Sequence, residues 1–352
     1  MRDIVTKLQF NESPFIPNGH IVKEFDVGAK TVNRYPDWDG ITLRTALANH
    51  WQVPPSWVVV AGEGSIGLIQ QAMIASGRGE ITYGWPTFEV FEMVANALRM
   101  PIRHTELRDN ACDLDAYAAA IHDDTGMTIV CTPNAPTGGI VSQKKLEKFI
   151  ASVPEHVLIL LDEAYGEFVD EASAIDALGL VKKYSNVVMS RTFSKAYGLA
   201  GVRVGYGIAQ PELAERIAKA GVPFSVSVPA QGAVLAALSD QERLHKQVAR
   251  IGAERRRLAT KLHKLGIEAI DGYGNFVWLP LGSQAEPVAQ LLRNQGVLVK
   301  AVTAYGLRIT VGTAKETDAL CAAWERADIT AIINAEASEP SIDPALGSEV
   351  YE

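Results

Sequence analysis

Apolar residues in this chain fall into short unbroken blocks separated by amphipathic stretches. Residues 58–60, 81–83, 127–131, 157–161, 187–189 and 205–208 are such blocks. Their length and lack of alternation predict strands buried on both faces. Between them apolar positions recur at helical spacing, as at Leu43, Leu47 and Trp51. Further helices are predicted over 113–121, 143–153, 211–220 with proline at the first position, 230–238 and the long, charge-laced 241–265. Strands alternating with helices predict an α/β fold: a mostly parallel central sheet with helices on both faces. From Gly266 the pattern changes to short strands at 268–270, 276–279, 298–300 and 307–310, with helices at 285–295 and 315–327. That predicts a small α+β domain. Residues 1–20 hold turn residues and little periodicity, so an extended arm is expected there. The expected division is an arm and small-domain segment at 1–30, a large domain at 31–250, a small domain at 251–334, and a disordered acidic tail at 335–352.

The strand at 187–189 runs into a segment dense in candidate chemistry. Ser190, Thr192 and Ser194 cluster beside Lys195, with Arg203 eight residues on and glycines at 198, 201 and 205. Hydroxyls with an arginine suit a phosphate dianion. A desolvated lysine beside cations loses its proton more easily and suits a Schiff base with an aldehyde. A lone lysine in a Ser/Thr-rich turn would be read as solvated. Here two more strand ends carry polar motifs, Pro133-Asn134-Ala135-Pro136-Thr137-Gly138 and Leu161-Asp162-Glu163-Ala164-Tyr165. Open α/β sheets bind ligands at strand ends. A fourth motif, Gly62-Glu63-Gly64-Ser65-Ile66-Gly67, matches G-x-G-x-x-G. A dinucleotide site would need an acidic residue at the end of the next strand, and Glu80 stands before that strand. The motif also suits a phosphate at a helix N-terminus, with the amides of Gly64 and Ser65 as donors.

Together these motifs resemble the fold-type I pyridoxal-phosphate (PLP) aminotransferases, in the branch that holds the histidinol-phosphate and aromatic amino acid aminotransferases. The resemblance runs from about Phe10 to about Trp324 and includes Asn11-Glu12-Ser13-Pro14, Asn33-Arg34-Tyr35-Pro36 and Leu307-Arg308-Ile309-Thr310-Val311-Gly312. It implies that Lys195 carries PLP and moves the substrate proton. It also implies that Gly64, Ser65, Thr192, Ser194 and Arg203 hold the phosphate, that Phe88 stacks on the pyridine ring and Asp162 pairs with its nitrogen. Tyr165 would reach the phenolic oxygen, and Tyr35 the phosphate of a partner subunit across a homodimer. Arg308 would clamp the substrate carboxylate, with Asn11 and Lys300 as further substrate contacts. The branch has asparagine directly before Pro-Thr-Gly, where this chain has Ala135; Asn134 beside it is expected to point elsewhere. The motifs around Trp85, Phe88 and Trp278 look most like the aromatic amino acid enzymes, acting with 2-oxoglutarate. Histidinol phosphate is the alternative substrate, and a phospho-amino-acid decarboxylase, an NAD-dependent dehydrogenase and a non-catalytic regulator are the remaining rivals.

Composition narrows the partners. The 352 residues are 47% hydrophobic and 21% charged, with net charge −8 and no basic run. Nucleic acid is therefore not the expected partner. No apolar run reaches membrane-spanning length. Cys112, Cys131 and Cys321 are scattered without a CxxC pair, so reduced thiols in a cytoplasmic protein are expected, without a metal site.

Overall fold

The computed structural model describes residues 6–333 apart from residues 78 and 332. The tail expected at 335–352 lies outside the described residues. In chain order the elements begin with β1 (Thr6–Leu8), α1 (Gly19–Ala29), α2 (Ile41–Trp51), β2 (Val58–Gly62), α3 (Ser65–Ala75), β3 (Glu80–Trp85), α4 (Val90–Ala97), β4 (Ile102–Arg108) and β5 (Ala111–Cys112). Then come α5 (Leu114–Ala120), β6 (Thr125–Cys131), α6 (Gln143–Ser152), β7 (Leu158–Asp162), α7 (Ala177–Lys183), β8 (Val187–Thr192), β9 (Val204–Ala209), α8 (Pro211–Lys219), α9 (Val228–Ser239) and α10 (Gln241–Lys264). The last are β10 (Phe276–Leu279), α11 (Ala285–Asn294), β11 (Val297–Val302), β12 (Gly306–Thr310) and α12 (Ala314–Arg326).

The strands form two sheets. The larger has the order β2-β9-β8-β7-β6-β3-β4-β5. Its centre, from β8 to β4, is parallel, and β9 runs antiparallel to both β2 and β8. The unbroken apolar runs explain its two covered faces. Along β7, Ile159 and Leu161 enter one apolar cluster while Leu158 and Leu160 enter the cluster on the opposite face. Adjacent strand residues point to opposite sides, so only a strand sandwiched between helices can be apolar throughout.

The smaller sheet has the order β1-β11-β12-β10. A third apolar cluster lies under it, joining Leu8, Leu258, Leu262, Ile309 and Trp324. Helix α12 starts at a reciprocal cap: the Thr313 hydroxyl accepts from the Glu316 amide, and the Glu316 carboxylate accepts from the Thr313 amide. Helix α10, with a buried stripe running from Leu244 to Leu262, contributes to the clusters of both sheets.

Two expectations are corrected. The N-terminal segment ends in a helix that the pattern does not predict. Thr6–Leu8 pairs in parallel with β11, and Gly19–Ala29 is a helix packed on α9, capped by the Asn18 side chain. Its stripe was hidden by half-exposed apolar residues, Val22, Phe25 and Val27. The strand expected at 268–270 is reduced to a single bridge, Ile270 to Trp278. No helix of the described residues is long and apolar enough to cross a membrane.

Candidate active site

Three parallel strands end side by side at one cavity. In register, Cys131 is opposite Asp162, and Asp162 is opposite Ser190. The chain then turns from β8 into Ser194 and Lys195. The cavity, about 420 Å³, is lined by Asp162, Tyr165, Lys195, Phe88, Ser65 and Arg203 among others.

One end of the cavity is an anion cradle. Helix α3 begins there with Gly64 as its cap, and no side chain caps its first amides. They are free to donate to an anion. The Thr192 hydroxyl donates to Ser194 Oγ at 3.0 Å and accepts from the Ser194 amide at 3.1 Å. Arg203 donates to the Ala200 carbonyl at 2.8 Å and lies 3.4 Å from Ser194 Oγ. Gly64 has φ +73°, and its missing Cβ leaves room for the Arg203 guanidinium. At Gly205 a Cβ would run into the backbone of Gly64. Glycine there lets β9 close against the cradle.

At the other end is a buried carboxyl. Asp162 is 2% exposed and accepts from the Ala164 amide at 3.2 Å. Burial pushes its pKa up to about 7; Glu163 adds to the rise, while Arg191 and Lys195 oppose it. The neighbouring Glu163 points to the other side of the strand and pairs with Arg191, which also holds Glu167. Lys195 Nζ donates to the carbonyls of Phe10 (3.0 Å) and Asn11 (3.3 Å). Burial lowers its pKa to about 7, helped by the cations Arg308 and Arg203 and opposed by Glu12 and Asp162. The cavity thus holds an acid and a base that are both near neutrality in the physiological range, a pattern concentrated at functional sites.

Tyr165 stands beside the lysine, its ring centroid 5.9 Å from Nζ. Its hydroxyl accepts from Asn11 Nδ2 at 2.8 Å, and burial raises its pKa to about 12. Asn11 is fully buried at φ 54°, and its side-chain oxygen accepts from the Thr310 hydroxyl at 3.1 Å. Arg308, on β12, donates to the Gln9 carbonyl at 2.6 Å. Its Nε is buried without a partner, and burial lowers its pKa. A half-buried guanidinium with a buried open donor is a site for a carboxylate.

The sequence-predicted residues therefore fall into three groups. Ser65, Phe88, Asp162, Tyr165, Thr192, Ser194, Lys195 and Arg203 meet at the cavity, with Gly64 directly behind Ser65. Asn11 touches Tyr165, and Arg308 contributes to the field on Lys195. Tyr35 and Lys300 do not line the cavity. Tyr35 is 81% exposed and packs on Phe224 with ring centroids 4.8 Å apart. Lys300 is in an ion pair with Glu89 at 2.9 Å. Asn134 does turn away, donating to the Pro86 carbonyl and Thr137 Oγ1, and Ala135 lines the cavity instead. Sequence reasoning missed Phe10, Glu12 and Cys131 as lining residues. Cys131 had a usable signal, the last position of a buried strand next to β7. The other two lie on the N-terminal segment folded over Lys195, for which local pattern gave none.

The family model described as "Aminotransferase class I and II" matches residues 3–323. The aromatic amino acid aminotransferase of Mycobacteroides abscessus is 39% identical over 315 residues, covering 89% of this chain and 90% of its own. That of Thermobifida fusca is 38% identical, with 89% and 88% covered. Among solved structures, the histidinol-phosphate aminotransferase of Sinorhizobium meliloti in complex with pyridoxal-5′-phosphate superposes with a TM-score of 0.87 at 26% identity, covering 95% of this chain and 92% of the other. The chain belongs to the class I and II aminotransferases and has their PLP fold-type I architecture, an α/β sheet with a small α+β partner sheet.

Proposed function

We propose that this aminotransferase uses PLP to move the amino group of phenylalanine- or tyrosine-like substrates to 2-oxoglutarate, as a cytoplasmic homodimer. The observation that carries the reading is Asp162. A carboxyl buried inside a ligand-sized cavity and raised to about 7 is held by one amide and has no cation in direct contact, although Arg191 and Lys195 act on it from further away. A protonated pyridine nitrogen supplies that cation. The cradle of Ser65, Thr192, Ser194 and Arg203 suits the phosphate at the opposite end, and Phe88 offers a ring face between. The donor set therefore fits PLP.

Bound there, PLP supplies an aldehyde for the amine and an electron-withdrawing ring that acidifies the amino acid's Cα–H. The chain's own residues do the rest. Arg308 binds the α-carboxylate through its open donors and fixes the amino acid in one orientation. Lys195 Nζ is neutral for a useful fraction of the time at pH 7 and can take the Cα proton. The Asn11–Tyr165 hydrogen bond holds the phenol against that amine. Phe10, Ile66 and Phe88 give the cavity an apolar part, which supports an aromatic side chain. The family names of the two relatives above support the same substrate class. A direct test compares kcat/KM for phenylalanine, tyrosine and histidinol phosphate with 2-oxoglutarate. Phenylalanine and tyrosine should lead by at least about tenfold, a difference worth roughly 1.4 kcal/mol. A preference for histidinol phosphate would overturn the substrate assignment and leave the aminotransferase chemistry standing.

The dimer is supported by an uncovered apolar face. Val32, Tyr35, Trp38 and Val222 are exposed around Phe224. A patch of this kind marks an interaction surface, and a two-fold contact is the usual way to cover it. If Tyr35 completes the partner's phosphate cradle, mixing Lys195→Ala with Tyr35→Phe subunits should restore activity, because one site of each mixed dimer has both residues intact. The Tyr35→Phe defect must first be measurable, since one such hydrogen bond contributes only about 1.5–3 kcal/mol. Demonstrated subunit exchange without recovery would rule out shared sites.

A further inference from the structure

The turn that carries Asp162 and Tyr165 is held from behind by an ion cluster that lies outside the cavity. Asp162 ends β7, and Glu163, Ala164 and Tyr165 follow before the 3-10 turn Gly166–Phe168. Two groups of the site depend on this short stretch. The Ala164 amide holds the Asp162 carboxyl, and the Tyr165 ring stands beside Lys195. Glu163 and Glu167 bracket the stretch, and their carboxylates meet on one guanidinium. Arg191 Nη2 donates to Glu163 Oε2 at 3.1 Å, and Nη1 donates to Glu167 Oε1 at 3.2 Å. None of the three side chains is more than 13% exposed. The guanidinium packs against Gly166, where a Cβ would lie 2.5 Å from Nη1. It also lies over Trp51, with 5.3 Å from its carbon to the ring centroid. The Trp51 indole in turn donates to the hydroxyl of Tyr206, the cross-strand partner of Arg191.

We propose that Arg191 is a positioning residue: by gripping Glu163 and Glu167 together it fixes the Asp162 carboxyl and the Tyr165 phenol relative to Lys195. The proposal rests on the PLP reading above, in which Asp162 meets the ring nitrogen. Stability alone is a poor reason for such a cluster. A buried ion pair is often no more stabilising than apolar residues of the same volume. Here Arg191 Nε and Glu167 Oε2 are also buried without a partner, which adds a cost. What the cluster supplies is geometry. A planar fork sets two carboxylates at a fixed spacing, so the residues between them cannot shift independently. Arg191 belongs to β8, the strand that leads into Lys195, while both carboxylates follow β7. The clamp therefore ties together the two strand ends whose groups must meet. None of its three members lines the cavity, so it acts equally on the amino acid and on 2-oxoglutarate.

Two variants disturb the clamp in different ways. Arg191→Lys keeps the charge but has no fork with which to span two carboxylates. Gly166→Ala keeps every charge and displaces the guanidinium. Four quantities are measured: both half-reaction rates per bound PLP, the KM values of phenylalanine and 2-oxoglutarate, the dissociation constant of PLP by calorimetry on cofactor-free protein, and the Tm of that protein. In Arg191→Lys both half-reactions should slow by about 10- to 100-fold, the scale of a roughly 1 Å misplacement. Both KM values should stay within about twofold, because Arg308 is untouched. The dissociation constant of PLP should rise about tenfold, the scale of weakening one hydrogen bond to a charged group. Gly166→Ala should shift the same quantities in the same direction. Wild-type rates and PLP affinity in Arg191→Lys would overturn the proposal, whatever its Tm, and make the cluster a stability device. If Arg191→Lys does not fold, Gly166→Ala decides by the same criteria. A wild type that binds no PLP would overturn the PLP reading and the proposal together, before any variant is made.

Discussion

Lys195→Ala should lower turnover at least about 10⁴-fold. A positioned general base contributes about 10²–10⁴, and the variant also loses the covalent hold on the cofactor. The residue is suited to both tasks for one reason. Desolvation in the half-buried site, with Arg308 and Arg203 nearby, lowers its pKa to about 7, while Glu12 and Asp162 only partly offset this. Lys195→Arg separates the two sources of an effect. Arginine keeps the positive charge but does not deprotonate. It should be as inactive as alanine, if the neutral amine is what matters. Both variants should still take up PLP through the cradle at Ser65, Thr192, Ser194 and Arg203, now without a link that borohydride can fix. The measurements are single-turnover rates with phenylalanine and the mass of the Lys195-containing peptide after borohydride treatment. Turnover above about 1% of wild type in either variant would remove Lys195 from the proton-transfer role.

How far the sequence disclosed this site depended on the range of the forces involved. Strand ends were legible because a strand apolar on both faces has few alternative fates. Asp162 and Lys195 each follow such a strand, and adjacent parallel strands bring their ends together. Arg308 was legible for a related reason, a charge flanked by Leu307 and Ile309 on a strand that needs an anion. Contacts between distant segments left no local trace. Nothing in the sequence near Lys300 points to Glu89, 211 residues away. Arg191 lies four residues before Lys195, yet its side chain leaves β8 on the face opposite Ser190 and Thr192 and spans Glu163 and Glu167. The face it takes follows from alternation, but the partners do not. The helix Gly19–Ala29 was missed because its apolar residues cover α9 on one side and remain exposed on another, which blurs the stripe.

Asp162→Asn should reduce kcat by about two to four powers of ten while leaving the fold intact. Removing one partner of a buried charge pair costs about 3–5 kcal/mol, and each 1.4 kcal/mol is a factor of ten. Asparagine matches the shape and keeps an acceptor for the Ala164 amide, but it cannot balance a cationic ring nitrogen. The pH dependence of the cofactor-free protein provides a second reading. Asp162 has a folded pKa of about 7, raised above the ordinary 3.8. The folded state therefore holds this proton more tightly than the unfolded chain does. The stability it contributes is fully present below pH 3.8 and is lost as pH rises through 7. A bound cation would reverse this by favouring the carboxylate. PLP should therefore raise the wild type's Tm more at pH 8 than at pH 6, and Asp162→Asn should lose most of that pH dependence. Thermal unfolding with and without PLP at the two pH values, alongside kcat, separates a charge partner from a residue that only caps the turn. Equal PLP-induced shifts in wild type and variant, with kcat within tenfold, would identify Asp162 as a cap.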